Sequence, residues 1–251
     1  MSRYLVTGGA GFIGSNVAER LLRDGHEVRV IDDFSTGKRE NVEAALAGAG
    51  SAGSLEVITG DVRDQAALER ATKGVDFVLH EAALCSVQRS VVEPVGTNSV
   101  NIEGTLKVLV ASRASGVRRV VYASSSSVYG NSAALPNREE YRPCPCSPYA
   151  LSKLTGEEYC RVFSLVYGLE TVCLRYFNVF GPRQDFNSQY AAVIPVFIDR
   201  ILNGEKPVVF GDGQQSRDFT FVEDVVEANL LACHKEGISG RVYNAARGGR
   251  K

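Results

Sequence analysis

The sequence predicts an α/β fold built on a parallel, doubly wound sheet. Over the first two-thirds of the chain, short apolar runs with strand character alternate with longer segments of helical periodicity. Such alternation is typical of βαβ units. Glycine, aspartate and serine follow most of the apolar runs, as expected where parallel strands end at a ligand-binding edge. The pattern therefore indicates one site along the carboxyl edge of the sheet.

The first element is a strand, a turn and a helix at the start of the chain. Residues 4–6 form an apolar run, and helical periodicity follows from Phe12. Between them, Gly8, Gly11 and Gly14 permit a tight turn, close approach of a pyrophosphate and close packing of helix on strand. The free N–H groups of the helix N-terminus favour phosphate. A glycine-rich turn that binds nothing is the alternative, but the flanking strand and helix are the context that a dinucleotide-binding motif requires.

The second strand, at residues 28–31, ends at Asp32. A carboxylate about 20 residues past the glycines accepts hydrogen bonds from the ribose hydroxyls of adenosine. Asp32 and Asp33 would repel a 2′-phosphate, and the nearest cations, Lys38 and Arg39, lie several residues further on. The pattern predicts NAD rather than NADP as cofactor. A helix cap or turn cap is the alternative role for Asp32.

The remaining elements follow in order. Strands are predicted at residues 55–58, 75–80, 117–123 and 171–176, and helices at residues 64–72, 94–115 and 148–167. Beyond residue 176 the pattern predicts a helix at 193–202, a short strand at 208–210 and a helix at 222–234. The small, flexible composition of residues 44–54 predicts a surface loop. We expect residues 1–176 to form the NAD-binding domain and residues 177–251 a partial, smaller lobe with segments that return to the main sheet.

Composition excludes several classes of function. The 251 residues have a net charge of −1 and a pI near 6.3, which does not favour nucleic acid as a partner. No apolar run reaches membrane-spanning length, and the chain enters a strand at once, so we expect no signal peptide and a cytoplasmic enzyme. The cysteines do not have a metal-binding spacing, and we expect reduced thiols and no metal: Cys85, Cys144, Cys146, Cys160, Cys173 and Cys233.

The chemical centre is predicted at Tyr149 and Lys153. Side chains four residues apart lie on one face of a helix, so a phenol and an ammonium point into one pocket. A neighbouring cation favours the phenolate and brings the pKa of the phenol towards the range of a general base. Ser125, at a neighbouring strand end, would share the substrate hydroxyl in a proton relay. A surface Tyr–Lys pair is the alternative, and it is common on helices.

These motifs resemble those of the extended short-chain dehydrogenase/reductase superfamily and, within it, the NAD-dependent UDP-hexose 4-epimerases. The resemblance covers nearly the whole chain. It is carried by residues 7–14, Asp32, residues 60–61, 80–83, 124–130, 147–153 and 174–182, and by residues 211–213 before 217–219. It implies a Rossmann-like doubly wound sheet with a smaller substrate-binding lobe.

The resemblance also implies roles for single residues. Asp61 would bond the adenine amine, Ala82 would line the cofactor and Asn101 would support the cofactor from its helix. The full set implied to bind NAD is Gly8, Gly11, Phe12, Ile13, Gly14, Asp32, Asp33, Asp61, Val62, Ala82, Ala83, Asn101, Ser124, Tyr149, Lys153 and Tyr176.

For the substrate, a UDP-sugar, Asn178 and Arg217 would contact the diphosphate, and residues 192–197 and 208–210 would cradle uracil. The planar guanidinium of Arg217 suits a phosphate, although an ion pair with Asp218 is its alternative role. The full set implied to bind substrate is Ser86, Ser125, Asn178, Val193, Phe210 and Arg217.

The implied reaction interconverts UDP-glucose and UDP-galactose, or their N-acetylated forms. Tyr149 takes the proton of the sugar 4-hydroxyl, a transient 4-keto sugar turns over in the pocket, and the proton returns after hydride has come back to the opposite face. The resemblance further implies a homodimer formed through the helices at 94–115 and 148–167.

The sequence departs from its relatives at three places. Ser126 and Ser127 stand where 4,6-dehydratases have an Asp-Glu pair, which disfavours dehydration. Cys85 stands near a position where some 4-epimerases have lysine. The chain ends where relatives continue, so we expect a truncated C-terminal part. A truncated or non-catalytic NAD-binding protein therefore stays open as an alternative, as does another nucleotide-sugar oxidoreductase or epimerase.

Overall fold

The computed structural model of the chain describes residues 1–50, 52–131, 135–185, 193–209 and 211–249. Nine strands lie in these ranges: β1 (Arg3–Thr7), β2 (Glu27–Asp32), β3 (Ser54–Thr59), β4 (Phe77–His80), β5 (Arg119–Ser125), β6 (Glu170–Tyr176), β7 (Val179–Phe180), β8 (Thr220–Phe221) and β9 (Arg241–Ala245). The α-helices in the same ranges are α1 (Phe12–Arg23), α2 (Arg39–Ala49), α3 (Gln65–Thr72), α4 (Val87–Val92), α5 (Pro94–Asn98), α6 (Gly104–Ala114), α7 (Pro148–Tyr167), α8 (Val193–Leu202) and α9 (Val222–His234). A π-helical turn, Ser99–Glu103, joins α5 to α6, and a 3₁₀ turn, Ser126–Tyr129, follows β5.

Seven parallel strands form the main sheet in the order β3-β2-β1-β4-β5-β6-β9. The order reverses between β1 and β4, which is the switch point where doubly wound sheets bind ligands. The register places Thr7 beside both Ile31 and His80, and Ser125 beside Tyr176. The carboxyl ends of the strands therefore meet at one edge, as the sequence predicts.

The sheet separates two apolar layers of buried side chains. Helices α1 and α9 cover one face, where Tyr4, Leu21 and Val225 are fully buried. Helices α3, α6 and α7 cover the other face, where Leu68 and Leu109 are fully buried. The strands are thus covered on both sides, which explains their continuous apolar runs.

Local sequence signals determine where the helices begin and end. The carboxylate of Asp64 caps α3 by accepting from the N–H groups of Ala66 and Ala67. The hydroxyl of Ser147 caps α7, and a left-handed Gly168 ends it. These residue types at these positions are the usual helix start and stop signals.

Most predicted elements are confirmed within one or two residues, including the long helix α7, α8 and α9. The predicted surface loop at 44–54 is wrong, because residues 44–49 belong to α2. In α2, Val42, Ala45 and Ala49 are buried, and a Cβ on Gly48 would lie 2.5 Å from the Glu19 carboxylate. Glycine and alanine thus serve close helix packing there rather than flexibility.

The smaller lobe differs from its prediction. Val208 and Val209 lie outside any strand, and Phe210 lies outside the described residues. The sheet of the lobe is instead the two-residue pair β7–β8. Strand β9 and helix α9 return to the main sheet; the domain boundary at residue 176 stays a prediction. None of the helices in the described part of the chain combines the length and apolarity needed to cross a membrane.

Candidate active site

The glycine turn between β1 and α1 is a close-packed cradle. Gly8 has φ +69°, and a Cβ there would lie 2.7 Å from the backbone nitrogen of Ala82. A Cβ on Gly14 would overlap the carbonyl oxygen of Gly8, and one on Gly11 would lie 3.1 Å from the same oxygen. No side chain among the described residues caps α1, so its first N–H groups point to the turn. The turn fits a dinucleotide pyrophosphate.

Asp32 connects the end of β2 to this turn. Its carboxylate accepts from the N–H of Ala10 at 2.9 Å and from the N–H of Phe34 at 2.9 Å. Burial raises the pKa of Asp32, and these two hydrogen bonds oppose the rise. The residue therefore also holds the turn in place, which is a cap-like role in addition to the predicted ribose contact.

The other acids implied to meet the adenosine are more exposed. Arg63 holds the Asp61 carboxylate through its guanidinium and lowers the pKa of Asp61, although burial opposes this. The Asp33 carboxylate accepts from the backbone and hydroxyl of Ser35. Val62 belongs to the core, against Gly104.

A directional chain of hydrogen bonds runs under the cofactor-binding loop. The N–H of Ala82 donates to the Thr7 hydroxyl at 3.2 Å, and that hydroxyl lies 2.7 Å from His80 Nδ1. On the other side, His80 Nε2 lies 2.9 Å from the Thr105 hydroxyl, which donates to the carbonyl of Asn101 at 2.6 Å. Each hydroxyl has one proton, so the chain is complete when His80 is neutral and protonated at Nε2. Burial, with a contribution from the charge of Lys153, lowers the pKa of His80 to about 3.

Asn101 supports the site from within the protein. Its amide exchanges two hydrogen bonds with the backbone of Leu84 and donates to the hydroxyl of Ser152 at 3.0 Å. The side chain is almost fully buried. It therefore joins the π-helical turn, the loop after β4 and helix α7, and its side-chain hydrogen bonds are made within the protein.

Helix α7 presents three polar side chains on one face: Tyr149, Lys153 and Glu157. They are spaced by four residues, so they stack along the helix. Tyr149 and Lys153 are 8% and 4% exposed. Ser125, which ends β5, is 9% exposed, and its hydroxyl donates to the Ser127 hydroxyl at 3.1 Å. The structure thus brings together the predicted catalytic residues.

The protonation of Tyr149 differs from the prediction. In the polypeptide, burial raises the pKa of the Tyr149 phenol, Cys85 adds to the rise, and the polar neighbour Ser125 opposes it. The prediction that Lys153 lowers the pKa of Tyr149 is wrong for the polypeptide without cofactor. The ammonium of Lys153 donates instead to the carbonyl of Ala123 at 2.8 Å.

Behind Ser125 lies a buried ion pair that the sequence analysis missed. Arg175 Nε and Nη2 donate to the two carboxylate oxygens of Glu157 at 2.9 and 2.8 Å, and the Ser124 hydroxyl donates to the same carboxylate. Although burial by itself lowers the pKa of Arg175, the hydrogen bonds to Glu157 raise it overall. The Arg175 guanidinium also stacks 4.6 Å over the ring of Tyr129, whose hydroxyl donates to Asn244 in β9. The sequence offered one signal for this ion pair: Glu157 lies eight residues after Tyr149, on the same face of α7.

Tyr176 ends β6 beside Ser125. Its hydroxyl donates to the Glu81 carboxylate at 2.7 Å and accepts from the amide of Asn229 at 2.7 Å. The polar atom of this implied cofactor residue is therefore bonded within the protein. Glu81, which the sequence analysis assigned no role, stands directly after β4.

The small lobe contains a cavity of about 570 Å³. Asn178, Val193 and Arg217 lie together in its wall, as the resemblance implies, among Val179, Phe180, Ile194, Phe197, Val208, Val209, Gly213, Gln215 and Phe219. Arg217 donates to the carbonyl of Ser216, whereas the Asp218 carboxylate accepts from the backbone of Arg247 and Gly248. The alternative role of Arg217, an ion pair with Asp218, is therefore not favoured.

Of two further residues that the resemblance implies to bind substrate, Ser86 lies within the described residues and Phe210 does not. Ser86 caps α4 by accepting from the N–H of Arg89 at 3.0 Å, on the loop that also carries Cys85. Phe210 lies outside the described residues. All six cysteines are free thiols: Cys160, Cys173 and Cys233 are buried, and Cys85, Cys144 and Cys146 are exposed.

Comparison with known proteins agrees with this geometry. The sequence model of the NAD dependent epimerase/dehydratase family matches residues 4–246. The chain belongs to this family. The glycine cradle, the free start of α1 and Asp32 fit its cofactor, NAD.

Similar proteins include epimerases of known structure. The chain is 40% identical over 249 residues to a UDP-glucose 4-epimerase of Mycolicibacterium smegmatis, covering 98% of this chain and 77% of the relative. A UDP-N-acetylglucosamine 4-epimerase from Methanobrevibacter ruminantium is 45% identical with a TM-score of 0.92, over 100% of this chain and 78% of that one. The Thermus thermophilus UDP-glucose 4-epimerase in complex with NAD is 40% identical with a TM-score of 0.86, over 99% of this chain and 79% of that one. Related decarboxylases and dehydratases match this chain as well, so family membership leaves the reaction open.

Proposed function

We propose that this chain is an NAD-dependent UDP-hexose 4-epimerase, an isomerase acting on UDP-glucose and UDP-galactose or on their N-acetylated forms. The observation that carries the proposal is the grouping of Tyr149, Lys153 and Ser125 at the carboxyl edge of the sheet, without a carboxylic acid at Ser126 or Ser127. This grouping has the parts for moving a proton on a sugar hydroxyl and lacks the acid that dehydration needs at those positions.

The polypeptide supplies the proton chemistry. Tyr149 removes the proton from the sugar 4-hydroxyl. It later returns the proton to the oxygen of the 4-keto sugar as the other epimer forms. Ser125 would hydrogen-bond the same oxygen and so align it with the phenol. Lys153 would hold the nicotinamide ribose, and its bond to Ala123 holds the ammonium in place.

NAD, when bound, accepts the hydride from the sugar C4 and contributes a positive charge that favours the phenolate. Gly8, Gly11 and Gly14 would hold its pyrophosphate, and Asp32 its adenosine ribose. Asp61 would bind the adenine amine. Tyr176 and Ser124, whose hydroxyls are bonded within the protein, would contribute packing and backbone contacts.

The cavity of the small lobe would hold the UDP group. Arg217 would bind the diphosphate with its guanidinium, and Asn178 would contact it from the start of the lobe. Val193 and its apolar neighbours in the cavity wall would cover the uracil. Asn178 follows Tyr176 by two residues, so the chain passes directly from the catalytic edge to the cavity.

We also propose a homodimer in the cytoplasm. Valines on α4 and α5, Val91, Val92 and Val95, are exposed, and so are Leu151 and Leu165 on α7. Exposed apolar side chains on adjacent helices are typical of a protein–protein contact. A second copy would cover them.

The deciding experiment incubates the purified chain, without added cofactor, with UDP-glucose and separately with UDP-N-acetylglucosamine. Proton NMR follows the configuration at the sugar C4. We expect conversion to the galacto form, with the relative rates identifying the preferred sugar. No conversion of either sugar by protein that contains NAD would contradict the proposal and favour a non-catalytic NAD-binding protein. Release of cofactor in each cycle would instead indicate a nucleotide-sugar reductase.

A further inference from the structure

Residues 178–185 join the small-lobe cavity to helix α1, and we call them the connecting segment. Its first three residues lie in the cavity wall: Asn178, Val179 and Phe180. The amide of Asn178 donates to the carbonyl of Asp218 at 3.1 Å, and β7 pairs with β8. The first half of the connecting segment is therefore part of the cavity.

The second half of the connecting segment is bound to α1 through Arg183. Its Nη2 donates to the side-chain oxygen of Asn16 at 2.8 Å and to the carboxylate of Glu19, and its Nη1 donates to the carbonyl of Ser15 at 3.4 Å. The Asn16 amide donates in return to the carbonyl of Pro182 at 3.1 Å. The side chains of Arg183 and Glu19 are 14% and 17% exposed. Because both are largely buried, salt screens this ion pair less than an exposed one.

Asn16 also links the connecting segment to the glycine cradle. Its amide donates to the carbonyl of Phe12 at 2.8 Å as well as to Pro182. Phe12 begins α1 and follows Gly11 in the turn that fits the pyrophosphate. The contacts of Arg183 therefore lie within about two helical turns of the cofactor cradle.

The backbone of the connecting segment is held in uncommon conformations. Arg183 has φ +68° and Asn178 has φ +32°, in the region that side chains other than glycine rarely adopt. Gly181 has φ +152°, and a Cβ there would lie 2.6 Å from the side chain of Val222 at the start of α9. Residues keep strained conformations where their surroundings over-determine them, as at ligand clamps. The contacts with α1 and α9 thus fix the path of the segment.

The position of the segment matters because the two halves of the site must be aligned. The cavity would hold the UDP group, while the sugar must reach Tyr149 at the edge of the main sheet. Arg183 is not among the described residues that line the cavity, and its contacts are on α1. We propose that Arg183 is a positioning residue, which fixes the cavity wall to α1 and so aligns the sugar with Tyr149. This inference rests on the proposed function.

Alignment of the sugar and binding of UDP are measured separately. Arg183→Met keeps an unbranched apolar stem but removes the guanidinium. The Kd of UDP, measured by calorimetry on NAD-loaded protein, should stay within about twofold of wild type, because the cavity wall keeps its own residues. The kcat for the UDP-hexose that the wild type converts should fall about 10- to 100-fold, since a misplacement of about 1 Å costs up to that much.

Two results would overturn the proposal. A kcat within about twofold of wild type would show that alignment does not depend on Arg183. A rise in the Kd of UDP that equals the whole loss in kcat/KM would show that Arg183 only shapes the cavity. The bound NAD is quantified in each preparation, and kcat is expressed per NAD-loaded chain, so that loss of cofactor does not imitate loss of alignment.

Arg23→Met is the matched control. Arg23 pairs with the same Glu19 carboxylate, but its side chain is 57% exposed and its other contact is the carbonyl of Gly48 in α2. This variant should leave kcat and the Kd of UDP unchanged, and an equal fall in kcat would overturn the proposal. If Arg183→Met does not fold, Glu19→Gln weakens the same contact. It should lower kcat without changing the Kd of UDP, and an unchanged kcat would contradict the role of Arg183.

Hydrogen exchange separates this inference from the proposed function. Absence of epimerisation of either sugar by the wild type would defeat the proposed function. The anchoring by Arg183 is then decided by amide exchange of the NAD-loaded protein, read by mass spectrometry. Residues 178–185 should exchange about tenfold faster in Arg183→Met than in wild type or Arg23→Met, while α7 exchanges as before. Equal exchange of this segment in all three proteins would overturn the proposal.

Discussion

The carboxyl edge of the main sheet, around Tyr149, and the small-lobe cavity are built differently. At the edge, Tyr149, Lys153 and Ser125 are buried, and Lys153 and Ser125 hydrogen-bond within the protein. In the cavity, Arg217 is exposed and Val209 is 60% exposed, and the supporting strands β7 and β8 have two residues each. Under the proposed function, the core would hold the groups for proton transfer in place before binding, whereas substrate recognition would depend on surface segments. Changes at the edge should affect rate or stability, and changes in the lobe should affect affinity.

The strongest test of this difference is Tyr149→Phe. Loss of the phenolic proton carrier should reduce kcat by about 10²–10⁴-fold, because general base catalysis contributes that much. KM and the free energy of unfolding should change little. Steady-state kinetics and urea unfolding of the same preparation measure both. A kcat within a factor of about ten of wild type would argue against Tyr149 as the base.

The buried ion pair behind the catalytic serine should matter for stability. Arg175→Met leaves the Glu157 carboxylate buried without its cation, and breaking such a pair costs about 3–5 kcal/mol of unfolding free energy. Urea unfolding measures it. The control is Arg161→Met, which removes the exposed pair with Glu158 on the same helix and should cost less than about 1 kcal/mol. Equal losses in the two variants would contradict the buried role.

The free energy of unfolding should fall in acid, because His80 is neutral in the folded protein. Its pKa is about 3 in the folded protein and about 6.5 when unfolded. Between these values the unfolded chain binds the extra proton, so stability falls as pH drops below about 6.5, by about 1.4 kcal/mol per pH unit. The difference in unfolding free energy between wild type and His80→Asn should therefore shrink by about 2 kcal/mol from pH 6.5 to pH 5. A difference that stays constant with pH would show that His80 is not held neutral.

The smallest effect is expected in the lobe. Arg217→Ala should raise KM for the UDP-sugar about tenfold, or about 1.4 kcal/mol, while kcat stays within about twofold. An exposed guanidinium that contacts the diphosphate stabilises the bound substrate and the transition state equally. Its loss therefore weakens substrate binding without slowing the chemical step. Arg241→Ala, on the exposed edge strand β9, is the control and should leave KM unchanged. A fall in kcat with constant KM would place Arg217 in the chemistry instead.

The two regions also differ in how far the sequence predicts them. The strands of the main sheet are buried on both faces, so their apolar runs mark them clearly, and the residues at their ends predict the cofactor site. The pair Tyr149 and Lys153 follows from helix periodicity. In the lobe, the run at 208–209 is apolar because it lines a cavity, and a strand was the wrong interpretation.

Long-range polar contacts were beyond sequence reasoning. Glu81 and Tyr176 are 95 residues apart, and Glu157 and Arg175 are on different elements. The partner of a buried charge depends on the register of strands and on helix packing, which one sequence does not reveal. For the same reason the direction of the Tyr149 pKa was wrong: the pattern placed Lys153 on the correct face, but its bond to Ala123 and the burial of the phenol depend on tertiary structure.

The bond between Tyr129 and Asn244 has a consequence for synthesis of the protein. Among the described strands of the sheet, β9 is the last to leave the ribosome, and it supplies both Asn244 and the cover for the edge of β6. A nascent chain that has folded β1 to β6 therefore exposes an open strand edge next to an incomplete polar network. Such an edge pairs readily with other chains. Chaperone protection should be needed most in the interval between translation of β6 and translation of β9.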